Sequence, residues 1–256
     1  MIAKKKVGKM RADELVLKLG LCESRTQAQA YILAGQIKHG TETIDKSSKL
    51  LNSDAILSLD QPMPYVGKGG LKIKSFFEKF PLEINGKHVL DLGASTGGFS
   101  DYFLQNGAST ATCVDVGHGQ LHYKLRKDPR VTNIEKTNLR NLECDKLEES
   151  PFPFVVMDLS FISLKKVLQK AWSFTSVNGY LISLVKPQFE CKREEADIGK
   201  GVIRDTKIHE RVVNEILCFS KENLKNSKLE IQTESEPKGN DGNVEFFLCW
   251  RKTLIN

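Results

Sequence analysis

The sequence has few cysteines, and none of them is spaced as a zinc ligand. Its six cysteines are scattered along 256 residues, without a C-x-x-C pair or a nearby pair of histidines, which excludes a disulfide-stapled scaffold and a zinc module. His118 and His122 lie four residues apart, as metal-binding pairs do, but no third ligand accompanies them. We therefore expect reduced cysteines and no bound metal.

Long hydrophobic runs are also missing. The most apolar segments, Phe152–Met157 and Tyr180–Val185, are much shorter than the ~18 to 20 residues that cross a bilayer. The first residues, Met1–Lys6, are basic, but the apolar segment of a secretory signal does not follow them. These absences exclude a membrane-spanning helix and indicate a cytoplasmic protein.

Positive charge is only slightly in excess, with a formal net charge of +6. This balance permits a polyanionic partner without requiring one. The N-terminus is more basic than the average, because Lys4, Lys5, Lys6, Lys9 and Arg11 all precede the first acidic residue. Such an arm is typical either of a segment that contacts RNA or of a solvated tail.

Residues 1–60 are predicted to form a small α+β domain. Ser24 is placed as the N-cap of a helix that should end near Gly35. A leucine-rich helical segment precedes this helix and short isoleucine-containing strands follow it, which gives the order helix, helix, small sheet. The segment 61–64 has two prolines in four residues and is the predicted linker, because proline breaks both helix and strand.

Residues 65–256 alternate between strand-like and helix-like segments, which is typical of an α/β domain with a mostly parallel sheet. Ligands bind such sheets at the carboxyl ends of the strands. The segment 188–207 lacks periodicity and is either a substrate lid or a disordered surface loop. Predicted strands cover 88–92, 110–116, 154–158, 180–185, 229–233 and 244–250, and predicted helices cover 97–105, 120–126, 163–172 and 207–223.

A glycine-rich turn follows the first of these strands. Asp91–Phe99 reads D-L-G-A-S-T-G-G-F, which differs from the G-x-G-x-x-G of nicotinamide-binding folds and from a Walker loop. Its glycines allow close approach of a ligand, and the N-terminus of the following helix favours a carboxylate. Asp115 follows the next strand, where an acid can bind ribose hydroxyls.

This arrangement is similar to motifs I and II of S-adenosylmethionine-dependent methyltransferases. The resemblance implies a Rossmann-like methyltransferase domain with S-adenosylmethionine as cofactor, and Asn138 matches the position that holds the adenine edge. The cofactor-binding residues implied are Asp91, Gly93, Ala94, Ser95, Thr96, Gly97, Gly98, Phe99, Asp115, Asn138 and Asp158.

Four further residues, Lys72, Asp158, Lys186 and Glu245, stand in separate motifs in chain order. They resemble the Lys-Asp-Lys-Glu tetrad of FtsJ-type RNA ribose 2′-O-methyltransferases, which implies that all four are catalytic. A ribose hydroxyl is a poor nucleophile and must be aligned and relieved of a proton. Lys186 is the predicted general base or hydroxyl-orienting group, and the sequence leaves both roles open.

The N-terminal domain resembles the S4-like RNA-binding module, on the segments Arg11-x-Asp13, 23–28 and 32–37. Arg11, Arg25 and Lys38 match its phosphate-contacting positions, although Lys38 opens a Lys-His-Gly turn that departs from the usual motif. From Arg11 to Arg251 the chain is similar to the TlyA family, often labelled hemolysins and known as ribosomal RNA cytidine 2′-O-methyltransferases. The implied partner is ribosomal RNA or a ribosomal subunit.

Two other functions compete with this interpretation. The hemolysin label suggests a membrane-lysing protein, but neither a spanning segment nor a strongly basic amphipathic helix is evident. A non-catalytic RNA-binding protein is the other alternative, and intact Asp91, Asp115, Asp158 and Lys186 argue against it. A base-modifying methyltransferase is the nearest enzymatic rival, but such enzymes have an Asn/Asp-Pro-Pro-aromatic segment where this chain has Asp158-Leu-Ser-Phe.

Overall fold

The protein was analysed as a computed structural model that describes residues 8–33, 35–60, 64–239 and 242–254. The chain divides into two compact units, residues 1–63 and 64–256. Three residues of the predicted linker, 61–63, lie outside the described residues, as do Lys4, Lys5 and Lys6 of the predicted basic arm.

The described part of the N-terminal unit has two helices, as the sequence predicts, but its strands form two small sheets instead of one. The elements are β1 (Lys9–Arg11), α1 (Ala12–Lys18), α2 (Arg25–Leu33), β2 (Ile37–His39), β3 (Glu42–Thr43), β4 (Leu50–Asn52) and β5 (Ser58–Leu59). β1 pairs antiparallel with β4, and β2 pairs antiparallel with both β3 and β5. Ser24 is the N-cap of α2, as predicted, since its hydroxyl accepts the backbone N–H of Gln27 at 3.2 Å.

A buried carboxylate organises the start of this unit. Asp13 is fully buried at the first turn of α1, and its carboxylate accepts hydrogen bonds from Arg11 (3.0 Å), Arg25 (3.0 Å) and Gln29 (2.9 Å). Burial alone would raise the pKa of Asp13, but these three donors together hold it well below its usual range. The carboxylate therefore stabilises the fold at neutral pH, and that contribution is lost only as the pH falls below the ordinary carboxyl range.

The C-terminal unit is built on a sheet in which seven strands can be described. The elements are α3 (Lys68–Lys79), β6 (His88–Leu92), α4 (Gly98–Gln105), β7 (Thr110–Val114), α5 (Tyr123–Arg126), β8 (Val131–Ile134), β9 (Phe152–Met157), α6 (Leu168–Ser173), β10 (Thr175–Val185), α7 (Pro187–Glu190), α8 (Arg193–Ile198), α9 (Thr206–Asn223), β11 (Ser227–Glu234) and β12 (Phe246–Lys252). Single 3₁₀ turns lie at Leu139–Asn141, Cys144–Lys146 and Leu164–Lys166.

The strand order is β11-β12-β10-β9-β6-β7-β8. The five strands from β10 to β8 are parallel, whereas β12 runs antiparallel to both of its neighbours, β10 and β11. Alternate residues along each central strand face opposite hydrophobic layers, as the period of two requires. Val89 packs toward α3 and α4, and Leu90 packs toward α6 and α9.

Several boundaries differ from the sequence predictions. β7 ends at Val114 instead of 116, β10 begins at Thr175 instead of 180, and the predicted helix 163–172 is a 3₁₀ turn followed by α6. Predicted helix 120–126 is a single turn, because it starts only at Tyr123. The segment 188–207 is not a plain loop, since α7 extends into it and α8 lies within it. Glu245 directly precedes β12 instead of lying within the predicted strand 244–250, and β12 is an interior strand of the sheet.

We predict that Asp13→Asn weakens the N-terminal unit by about 2 kcal/mol, because it removes the charge that three donors share in a buried position. Hydrogen–deuterium exchange of the full chain at neutral pH should show roughly 30-fold faster exchange in α1 and α2 and unchanged exchange in α9. Asp45→Asn, at an exposed position of the same unit, is the matched control. Unaltered protection of α1 in Asp13→Asn would contradict the assignment.

Candidate active site

The carboxyl edge of the parallel strands carries the polar residues that the sequence singled out. Asp91 lies near the end of β6, Asp115 directly follows β7, Asp158 directly follows β9 and Lys186 directly follows β10. Because these strands are adjacent and parallel, their ends open onto one side of the sheet.

The glycine-rich turn between β6 and α4 requires its glycines. Gly93 and Gly97 have φ values of 83° and 91°, which side chains rarely adopt. A Cβ on Gly97 would overlap the side chains of Leu121 and Leu125, and one on Gly98 would press against the backbone of Gly70 in α3. The start of α3 and the start of α4 therefore approach each other closely along this turn.

Asp91 is a buried carboxyl with one satisfied and one free oxygen. Its Oδ2 accepts the backbone N–H of Ser100 at 3.1 Å and the Ser100 hydroxyl at 2.7 Å, whereas its Oδ1 has no hydrogen-bond partner among the described residues. Burial raises the pKa of Asp91 to about 7, although both bonds from Ser100 act in the opposite direction. Asp91 also lines a cavity, so a cationic group bound there would relieve this desolvation.

Asp115 fixes the shape of the turn. Its Oδ2 accepts the backbone N–H of Ser95 at 2.8 Å and its Oδ1 accepts that of Gly117 at 2.7 Å. Each carboxylate oxygen retains a second lone pair, which leaves acceptor capacity for a ribose hydroxyl. Asn138 caps the next 3₁₀ turn by accepting the backbone N–H of Arg140 at 3.0 Å.

Two cavities meet along this edge. One, of about 500 Å³, is lined by Asp91, by Gly98 and Phe99 of α4, and by the whole Lys-Asp-Lys-Glu set. The other, of about 590 Å³, is lined by Asp115 and Asn138 together with apolar side chains. The residues that line both cavities are Gly93, Ser95, Asp158, Ser160 and Phe161. Ala94 and Thr96 line the first cavity only, and Gly97 lines neither.

The four residues of the tetrad form two ion pairs in the first cavity. Lys72 of α3 donates to Glu245 with a Nζ to Oε2 distance of 2.6 Å, and both side chains are buried. Nζ of Lys186 lies 2.6 Å from Oδ1 of Asp158. Two cations and two anions leave the set neutral, which limits the cost of burying charges that would otherwise be prohibitive.

Three site residues were not found by the sequence reasoning. The Ser160 hydroxyl accepts from Nζ of Lys186 at 3.0 Å. Phe161 has a φ of 63°, is 89% exposed and packs against Phe189 with ring centroids 4.9 Å apart. The sequence shows a phenylalanine three residues after Asp158, but its hydrophobic pattern does not indicate that this side chain is exposed.

The RNA-contacting positions predicted in the N-terminal unit are all engaged in ion pairs. Arg11 and Arg25 bind Asp13, and Nζ of Lys38 lies 3.4 Å from a carboxylate oxygen of Asp60. Their side chains nevertheless keep 37%, 48% and 32% of their surface exposed, respectively. Each cation therefore remains available to a phosphate while a carboxylate holds it in place.

Comparison with known proteins agrees with this architecture. The S4 domain model matches residues 10–57, and the FtsJ-like methyltransferase model matches residues 65–252. The 16S/23S rRNA (cytidine-2′-O)-methyltransferase TlyA of Mycobacterium tuberculosis is 35% identical over 95% of this chain and 90% of that protein. Hemolysin A of Brachyspira hyodysenteriae is 37% identical over 93% of this chain and 98% of that protein.

A solved structure of a hemolysin-labelled protein from Streptococcus thermophilus superposes with a TM-score of 0.72 at 37% identity, covering 96% of this chain and 90% of that one. The mostly parallel seven-stranded sheet, counted over the described residues, confirms the predicted Rossmann-like α/β fold of S-adenosylmethionine-dependent methyltransferases. The chain belongs to the TlyA family, in which an S4 domain precedes an FtsJ-like methyltransferase domain.

Proposed function

We propose that this protein is an S-adenosylmethionine-dependent ribosomal RNA methyltransferase that modifies the 2′-hydroxyl of a cytidine. The observation that carries the proposal is the meeting of two ion pairs, Lys72–Glu245 and Asp158–Lys186, with the glycine-rich turn in one cavity. A ribosomal substrate would be met in the cytoplasm. The ribosomal target and the cytidine follow from the resemblance to the Mycobacterium tuberculosis relative.

The residues present suit S-adenosylmethionine. The free Oδ1 of Asp91 offers an acceptor to the ammonium group, and the adjoining cavity offers Asp115 to the ribose and an apolar slot beside Asn138 to the adenine. Gly93–Phe99 would enclose the ligand between these two ends, with Thr96 and Gly97 shaping the turn. When bound, the cofactor supplies a methyl group on a sulfonium, which is a strong electrophile.

The remaining chemistry is alignment and proton removal at the ribose hydroxyl. Lys186 is the group that would accept the proton, because it is held at the cavity wall by Asp158 and is 9% exposed. Lys72 and Glu245 lie in the same cavity and would orient the ribose from the other side. General-base assistance of this kind is worth roughly 10²- to 10⁴-fold in rate.

Phe161 and Phe189 would hold the target base at the rim of the cavity. A nucleotide within folded RNA must leave its stack to reach a recessed site, and an exposed aromatic ring replaces part of the stacking that is lost. Arg11, Arg25 and Lys38 of the N-terminal unit would contribute phosphate contacts, which add affinity with little sequence readout.

The structure offers no membrane-spanning helix among the described residues that would favour the membrane-lysing alternative. Over the part of the chain that the structure describes, no helix combines the length and the apolarity needed to cross a bilayer. A non-catalytic RNA-binding role is addressed by the activity measurement below.

We expect Lys186→Ala to lower the methylation rate by roughly 10²- to 10⁴-fold, because it removes the proton acceptor. Lys186→Arg should be nearly as impaired, since a guanidinium keeps its protons. The measurement is transfer of a radiolabelled methyl group to purified ribosomal subunits and to naked rRNA, followed by nucleoside analysis for 2′-O-methylcytidine. Lys221→Ala, an exposed position on α9, is the control. Transfer to a base, or no transfer to any RNA by the wild-type protein, would refute the proposal.

The raised pKa of Asp91 predicts pH-dependent cofactor binding. Below about pH 7 the free protein holds a proton on Asp91 that must be lost before the carboxylate can pair with an ammonium, so affinity should fall by up to ~10-fold per pH unit toward pH 5.5. Calorimetric titration with S-adenosylmethionine between pH 5.5 and 8 measures this slope. Asp91→Asn should bind S-adenosylmethionine at least tenfold more weakly. Its affinity should depend less steeply on pH, because only the titration of the ligand itself then remains. Equal slopes in the two proteins would exclude Asp91 as the titrating group.

Removing the ring of Phe161 should weaken substrate binding more than cofactor binding. Base stacking on an aromatic side chain is worth ~1 to 3 kcal/mol, so Phe161→Ala should raise the KM for RNA or lower kcat by about 5- to 150-fold. Phe161→Tyr, which keeps the ring, should remain within about threefold of wild type. Steady-state methylation kinetics with a parallel cofactor titration would test this. A loss of cofactor affinity as large as the loss of activity would contradict a role in base stacking.

A further inference from the structure

We infer that Ser160 is a positioning residue that fixes the direction of the Lys186 amine toward the substrate hydroxyl. This inference rests on the proposed function and adds a residue outside the Lys-Asp-Lys-Glu set. The observation behind it is that Nζ of Lys186 has two oxygen neighbours of different kinds. Oγ of Ser160 accepts a hydrogen bond from it at 3.0 Å, whereas Oδ1 of Asp158 lies 2.6 Å away in an ion pair that lacks hydrogen-bond geometry.

The number of partners matters because of the valence of an amine. A neutral lysine amine has two N–H bonds and one lone pair, arranged tetrahedrally around nitrogen together with Cε. If one N–H bond is donated to Ser160 and the negative charge of Asp158 attracts the other, the lone pair has a single remaining direction. Lys186, Asp158 and Ser160 all line the first cavity, so the amine that they hold lies at the cavity in which the ribose would bind.

Without the Ser160 acceptor, the amine would rotate about its last side-chain bond. The ion pair with Asp158 lacks hydrogen-bond geometry, so on its own it would let the lone pair and the N–H bonds exchange places. A rotated amine presents an N–H bond to the substrate oxygen, which orients the hydroxyl but takes no proton. Ser160 would therefore hold Lys186 in the orientation in which its amine accepts the proton, and not in the one in which it only donates a hydrogen bond.

Hydrogen bonds and ring packing connect the loop that contains Ser160 to the segment that follows Lys186. Glu190 of α7 accepts the Ser163 hydroxyl at 2.7 Å and the backbone N–H of Leu164 at 2.6 Å. Burial raises the pKa of Glu190, whereas the hydrogen bonds from Leu164 and Ser163 act to lower it. The packing of Phe161 on Phe189 adds a second connection. Ser160 lies between these connections and Asp158, whose backbone N–H donates to the carbonyl of Leu92 at 3.2 Å. The chain is therefore held on both sides of Ser160, which limits the movement of its oxygen relative to Lys186.

The proton balance of the step is simple. The 2′-oxygen forms a bond to the methyl carbon as the carbon–sulfur bond breaks, and sulfur keeps that electron pair. Lys186 enters the step as a neutral amine, after the ammonium of its ion pair with Asp158 has released a proton to water. The hydroxyl proton passes to Nζ of Lys186, which becomes an ammonium with three N–H bonds. One of these stays on Ser160, the charge of Asp158 neutralises the ammonium, and one proton then leaves to water, which restores the neutral amine.

Ser160→Ala should lower kcat for methylation about tenfold while the KM for RNA and the dissociation constant of S-adenosylmethionine stay within twofold. Ser160→Thr keeps the hydroxyl and should return kcat to within about threefold of wild type. The same Ser160→Ala change in a Lys186→Ala background should have no further effect, because Ser160 acts through Lys186. Ser173→Ala, an exposed serine of α6, is the matched control.

The outcomes separate this inference from the proposed function. A wild-type protein that methylates ribose with Ser160→Ala at the wild-type rate overturns the positioning role alone. A loss in the Lys186→Ala background equal to that in the wild-type background also overturns it, because the serine would then act independently. A wild-type protein that transfers no methyl group to ribose overturns the proposed function and this inference together.

Discussion

Burial of opposite charges at the carboxyl edge of a parallel sheet is the constraint on which the rest of the catalytic unit depends. A lone lysine or glutamate with less than a tenth of its surface exposed would be strongly destabilising, whereas a close pair with a 2.6 Å contact is tolerated. The pair of Lys72 with Glu245 therefore ties α3 to the segment that leads into β12. Gly98 of α4 lies against the backbone of Gly70 in α3, which places the glycine-rich turn beside the same helix. The ion pair and the glycine-rich turn therefore both pack on α3.

Sequence reasoning succeeded where the signal was local. The strand 88–92, the helix after the glycine-rich turn and the N-cap at Ser24 each depend on neighbouring residues, and the structure has them as predicted or within one residue. The choice of Lys72 over its neighbours was weaker in the sequence, because Lys68 and Lys74 are equally basic. The structure resolves it. Lys72 is buried, Lys74 lies on the opposite face of α3 and is exposed, and Lys68, which shares a face with Lys72, is exposed at the first residue of the helix.

The partners of the charged residues could not be predicted. Which acid pairs with which lysine depends on strand order, and β12 enters the sheet between β10 and β11, an insertion that no local pattern encodes. The same holds for Asp13, whose three donors come from β1 and α2. The exposed ring of Phe161 was not predicted either. Its backbone lies in the left-handed region, and no hydrophobic pattern indicates this conformation.

The position of β12 has a consequence for biosynthesis. This strand follows every other strand of the sheet along the chain and inserts between two that were made earlier. Lys72 and Glu245 are separated by 173 residues, so a growing chain can form its glycine-rich turn long before it holds both ion pairs. During translation one side of β10 must stay open to receive its last neighbour. The pair of Lys72 with Glu245 therefore forms only when nearly all of the unit has left the ribosomal exit tunnel, and products truncated before β12 would carry the glycine-rich turn without this pair.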